Sequence, residues 1–219
     1  MGYTAPGRAV VKPFPRAVLA LAPHACVIID YDTGRTELRP VPVRPKDFDA
    51  AVVNIVGVQS WGTTDVQAIL PPSLPVPARW RFAAVFAVLL TAAVRILGPR
   101  RSRFRRLVRL ACCGRSLPPT KSNQPLYAVR AVRWASRAIP ARWACLEEST
   151  AAAVLLAGAG RRAEWRHGVA VDPVRLHAWL VDRDGIPVEE RGDIVMYAPT
   201  CTPDGPGSGH WRETETPRE

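Results

Sequence analysis

Between Cys145 and Glu190 the hydrophobic pattern changes period, and that change limits the folds open to the chain. Residues 145–156 are rich in Ala and Leu, read as a helix, and are closed by Gly158 and Gly160. Residues 166–171 and 176–182 alternate instead, and an Asp184-Gly185 hairpin signal follows. A helix docked on an antiparallel sheet is expected, with residues 188–190 and 194–197 continuing that sheet. Each part carries one reactive side chain. Cys145 heads the helix, His177 lies mid-strand, and an acid stands beyond the turn.

The chain before this unit has a different texture. Residues 1–15 form a Pro/Gly-rich arm. Residues 16–21, 25–31 and 36–43 read as three strands, and Pro40 and Pro42 confine the third to a sheet edge. Asp47 is expected to cap a short helix through Val58, and Thr64 another through Leu70. The Pro-rich run 71–77 is the clearest linker. Helices are then expected over 80–97, 102–113 and 126–139. Phe104, Leu107, Val108 and Cys112 share a face of the second, and Leu126, Val129, Trp134 and Ala138 are the core positions expected of the third. The class is α+β. A small β-rich module occupies residues 1–70, a linker 71–79, a helical and sheet domain 80–200, and a polar tail 201–219.

Charge is concentrated in the middle. Residues 76–144 hold fourteen arginines and one lysine without a single Asp or Glu, so this segment is +15 in a chain of net +11. Such a field draws an acidic partner: nucleic acid, anionic lipid, or an acidic peptide or protein face. Solvated faces of an Ala-rich helical bundle are the commoner reason for charge on helices. A non-catalytic basic scaffold or nucleic-acid-binding protein is the alternative reading. It requires interleaved aromatics and a recognition signature, and the block holds Phe104 and Trp134 without one.

The longest apolar run, Phe82 to Val94, has 13 residues, short of the ~18–20 that span a bilayer, so no transmembrane segment is expected. The N-terminus lacks secretory-signal features, and the five cysteines include no C-x-x-C pair. Reduced thiols in a cytoplasmic protein follow. No His/Cys/Asp cluster has metal spacing, and no phosphate-binding loop is evident, so no bound cofactor is expected.

A lone cysteine on a helix is usually a small buried hydrophobe. The company of His177 and an acid reverses that preference. A helix N-terminus and a nearby cation, here Arg142, favour a thiolate, and an imidazole is the usual base for it near neutral pH. Hairpin register selects the third member. Either two-residue loop, Asp184-Gly185 or Arg183-Asp184, puts Glu190 on the face of His177 and Glu189 on the other. A bulge would hand the role to Glu189.

Cys145-Leu146-x-x-Ser149, Leu155-Leu156 and His177-Ala178-Trp179 before a Gly turn and an acid resemble the B protein of lasso-peptide biosynthesis. That family is made of transglutaminase-like, papain-type cysteine peptidases that remove the leader of a precursor peptide. The resemblance covers residues 80–190. It implies Cys145 as nucleophile and His177 as base, with Glu190 where the family usually has Asp. It also implies two partners, the precursor leader and an ATP-using, asparagine-synthetase-like cyclase. The strands before residue 70 resemble the leader-recognition element these peptidases use, which adds an extended peptide to a sheet edge.

Overall fold

The computed structural model describes residues 17–23, 25–40, 50–55, 75–121, 123–140, 143–171 and 173–200. Four strands form the first sheet: β1 (Ala17–Leu21), β2 (Ala25–Asp30), β3 (Thr36–Pro40) and β4 (Ala51–Asn54), in the order β3-β2-β1-β4. β1 and β2 are antiparallel, as are β2 and β3, whereas β4 runs parallel to β1 with Val52 beside Leu19. Asp30 organises the β2–β3 turn. Its carboxylate accepts the Asp32 and Thr33 N–H groups at 2.7 and 3.2 Å. Gly34 completes the turn at φ +75°, pressed against Phe104. β3 is an edge strand, as Pro40 requires.

The helix expected from Asp47 to Val58 is not formed over 51–54, which is β4. Val52 and Val53 are β-branched and lose χ1 freedom in a helix, and the open side of β1 offers them a ladder. The helix expected over 64–70 lies outside the described residues, as do Asp47 and residues 71–74 of the linker.

Among the described residues four helices follow: α1 (Ala78–Ile96), α2 (Arg103–Ala111), α3 (Gln124–Ser136) and α4 (Cys145–Gly158). A 3-10 turn at Arg100–Ser102 leads into α2, and Pro125 sits in the first turn of α3, where its missing N–H is harmless. α4 is the hub, because it packs against α1, α2, α3 and the second sheet. Ala151, Ala152, Leu155 and Leu156 are buried there. α3 buries Val129 as expected but otherwise turns a different face inward, and Ala138 is exposed. Ala128, Val129, Ala131, Val132 and Ala135 are buried, while Trp134 is exposed beneath the Arg81 guanidinium. Its close contacts with both α1 and α4 favour small side chains on that face.

The second sheet has the order β6-β5-β7, from β5 (Glu164–Val171), β6 (Val174–Val181) and β7 (Ala198–Pro199). Residues 188–190 and 194–197 do not continue it as strands. Residues 192–196 form a 3-10 turn, and the two-residue β7 pairs with β5 instead. One hydrophobic cluster runs from Val18, Val27 and Tyr31 through the helices to Trp165 and Leu180, so the first sheet shares its core with the rest of the chain. Among the described residues, no helix is long and apolar enough to cross a membrane.

Candidate active site

Cys145 is the first residue of α4 and is partly exposed. Extended backbone at Ala144 delivers the chain into the helix, and the Glu147 carboxylate accepts the Ala144 N–H at 3.3 Å. His177 sits on β6 opposite Gly168 of β5. Its Nε2 donates to Glu190 Oε2 at 2.8 Å. Burial disfavours the imidazolium, but hydrogen bonds to Cys145 and Glu190, with their charges, outweigh it and push His177 up to about 10. The three side chains singled out in the sequence therefore meet at one point.

The motif residues around them have structural duties. Ser149, one turn below Cys145, accepts the Trp165 indole N–H at 2.9 Å and so ties α4 to β5. Trp179, two residues beyond His177 on the same strand face, stacks on its ring at 5.8 Å and 14°. Tyr197 packs against the other ring neighbourhood at 5.2 Å. Ala178 points to the opposite face and is buried. Arg142, expected as a nearby cation, lies outside the described residues. The indole N–H of Trp143, two residues before the thiol, is buried and has no hydrogen-bond partner.

Two further acids crowd the helix head, and both are neutralised. Glu147 pairs with Arg95 at 3.1 Å and Glu148 with Arg133 at 2.5 Å. A negative sulfur beside them is thus spared two uncompensated carboxylates.

The acid reaches His177 by an unexpected route. The hairpin loop has three residues, not two: Asp182 N–H bonds Ile186 O at 3.0 Å, and Asp182 Oδ1 accepts the Asp184 and Ile186 N–H groups. Pro187 then faces Val181, and Val188 bonds Leu180. Continued, that register would put Glu189 on the face of His177. The backbone of Glu189 instead turns left-handed at φ +57°, which breaks the alternation and returns Glu190 to the imidazole. Glu189 is drawn the other way. Arg130 donates to Glu189 Oε1 through Nε and Nη2 at 2.9 and 2.6 Å, and Arg133 reaches its carbonyl at 3.2 Å. Arg130 and Arg133 were legible only as part of the basic block. Their i, i+3 spacing on α3 was the available signal.

Residues 87–202, just over half of the chain, match the sequence profile of the transglutaminase-like superfamily. The chain belongs to that superfamily. No curated protein and no solved structure matches it. The superfamily includes cysteine peptidases, and its fold typically carries a Cys-His-acid enzyme centre.

Behind this transglutaminase-like site lies a second histidine. His167 is buried on β5, where Nδ1 bonds the Tyr31 hydroxyl at 2.9 Å and Thr200 Oγ1 at 3.2 Å. Tyr31 also bonds Thr200 directly, which fastens the first sheet to the β5–β7 pair. Burial, helped by the charge of His177, pushes His167 down to about 3.

These two imidazoles predict a stability optimum. Unfolded, both titrate near 6.5. Between about 3 and 6.5 the unfolded chain takes up a His167 proton that the folded protein refuses, so acid destabilises. Between 6.5 and about 10 the folded protein keeps a His177 proton that the unfolded chain has lost, so this contribution fades as pH rises. Thermal midpoints should therefore peak near pH 6.5, and His177→Ala should flatten the alkaline limb and, because the His177 charge helps lower His167, ease the acid limb slightly. An alkaline limb unchanged in that variant would contradict the assignment.

Gly168 holds the ring stack in place. A Cβ there would lie 2.7 Å from the Trp179 ring and 2.9 Å from the Ala198 carbonyl oxygen. Gly168→Ala should cost about 1–3 kcal/mol by overpacking and disturb the Trp179–His177 stack. Its melting temperature is the check, and a wild-type value would show that the strands yield.

Proposed function

We propose that the chain is a cysteine peptidase that releases the leader from a ribosomally made precursor during lasso-peptide maturation. The observation that carries this reading is an imidazole linked at once to Cys145 and Glu190 at the head of α4. Membership of a superfamily that includes cysteine peptidases supports it, as do the Cys-Leu-x-x-Ser and His-Ala-Trp motifs.

Cys145 serves as nucleophile. Glu190 occupies Nε2 of His177, leaving Nδ1 for the sulfur. The thiolate attacks the scissile carbonyl, and the tetrahedral oxyanion is met by first-turn N–H groups of α4, which have no intrahelical partners. His177 gives its proton to the leaving amine as the carbon–nitrogen bond breaks. It then takes a proton from water, which hydrolyses the thioester and frees the sulfur. Glu190 holds the ring and stabilises its cationic form.

The precursor leader is taken as an added strand on the exposed edge of the first sheet at β3, where Leu38 stands 57% exposed. The cyclase docks on the outer arginines of α2, of which Arg105 already pairs with Asp32 at 3.3 Å and Arg109 is exposed. The setting is cytoplasmic. Incubation with the cognate precursor should yield two fragments whose masses sum to the precursor plus one water. Iodoacetamide should label Cys145 ahead of Cys26, Cys112, Cys113 and Cys201. An intact precursor, with all five thiols labelled at like rates, would sink the reading. Leu38→Asp should weaken binding of a fluorescent leader roughly tenfold by spoiling the edge, and unchanged affinity would move leader recognition elsewhere.

A further inference from the structure

α1 is apolar on two opposite faces. Trp80, Ala84, Ala87, Val88 and Thr91 point into the core. Phe82, Phe86, Leu89, Leu90, Ile96 and Leu97 are 47–76% exposed. At 100° per residue these six fall within an arc of about 120° on the side opposite the core. They run from Phe82 in the second turn to Leu97 at the C-cap, a span of roughly 22 Å. Beside Phe86 and Leu90 the stripe dips into an apolar groove of about 610 Å³, closed by Val154, Leu155 and Ala159 of and after α4. An exposed apolar band of this length on a charged protein marks a surface made to be covered.

The charges around the band indicate what covers it. Arg79 and Arg81 stand at its start, and Arg100, Arg101 and Arg103 follow its end, all of them exposed. No acid occurs from residue 76 to 144. A second copy of the chain would bring the same arginines face to face, so self-pairing is opposed. Cations flank the Phe/Leu/Ile band at both ends with no acid between them, the pattern of an amphipathic helix that lies in an anionic lipid interface. We propose that α1 lies flat on an anionic lipid bilayer, its Phe/Leu/Ile band sunk among the acyl chains and the arginines at its two ends held at headgroup phosphates. With Arg79, Arg81 and Arg95 and a 13-residue apolar run, the helix does not span; it rests in the interface. The inference does not depend on the peptidase reading.

Co-sedimentation with vesicles of equal parts phosphatidylglycerol and phosphatidylcholine, at physiological salt, tests it against vesicles of phosphatidylcholine alone. The full chain should bind the anionic vesicles at least about tenfold more tightly. Phe82→Ser with Phe86→Ser leaves the charge unchanged and truncates two exposed rings, so folding should survive, as circular dichroism and Cys145 alkylation would show. Binding should fall about tenfold or more in this variant, because two aromatic anchors are lost. Arg100→Gln with Arg101→Gln should also weaken binding, and more so at low salt. Three results would overturn the proposal. Failure to bind anionic vesicles is the first. Unchanged binding of the double Phe variant is the second, since a basic protein then adsorbs by charge alone. The third is a wild-type dimer that the double Phe variant converts to monomer, which would make the band a contact between copies.

Discussion

Cys145→Ala is expected to abolish release of the leader while leaving the fold intact. The sulfur is partly exposed at the first position of α4, and alanine is the best helix former, so the change removes one atom and little packing. Loss of a nucleophile in a hydrolase of this kind costs on the order of 10⁴–10⁶ in turnover. His177→Ala should cost about as much, because the two residues act as a unit and their effects do not add. A second readout separates chemistry from folding. Cys145 is one of the groups that raise His177 to about 10, so in Cys145→Ala the imidazole should titrate lower, as NMR can follow. Cleavage at the wild-type rate would remove Cys145 from the mechanism. An unmoved His177 titration would show that the thiol is not coupled to the ring.

The parts of this site that could be read from the sequence are those carried by local pattern. The Cys145 helix, the His177 strand and the Pro-limited edge strand β3 each follow from periodicity or turn chemistry within a dozen residues. What stayed hidden depends on distant partners. Residues 51–54 form a strand because β1, some thirty residues earlier, leaves an open side. Trp134 looked like core by spacing, yet the contacts of α3 with α1 and α4 decide which face is buried. The roles of Ser149 and His167 require contacts with Trp165 and Tyr31 that no local pattern announces. Glu190 was reached through a register that the structure replaces. The loop is longer by one residue, and the left-handed turn at Glu189 compensates for it. Two departures of opposite effect gave the same residue, and the second is not visible without the arginines of α3.

That compensation makes the acid pair the most informative place to mutate. Glu190→Gln keeps the size of the side chain and removes the charge that favours the imidazolium. By analogy with the acid of serine-protease triads, turnover should fall about 10²–10⁴-fold, and His177 should titrate lower than in the parent. Glu189 acts at one remove. Its side chain is 8% exposed, as a partner to an Arg130 that is 14% exposed. Arg130→Ala would leave the buried carboxylate with only Arg133 Nη1 at 3.4 Å and should destabilise by somewhat less than the about 3–5 kcal/mol of a fully broken buried pair. Glu189→Gln is milder, because the amide oxygen can still accept from the guanidinium. It should lower kcat roughly tenfold by loosening the loop that carries Glu190, through lost positioning rather than lost chemistry. The pH dependence tells the two carboxylates apart. Glu190→Gln should move the His177 limb of the rate profile, whereas Glu189→Gln should lower the rate at every pH and leave that limb in place. If Glu189→Gln is the more damaging change and the one that shifts the limb, Glu189 is the acid on His177 and the turn at φ +57° does not persist in solution.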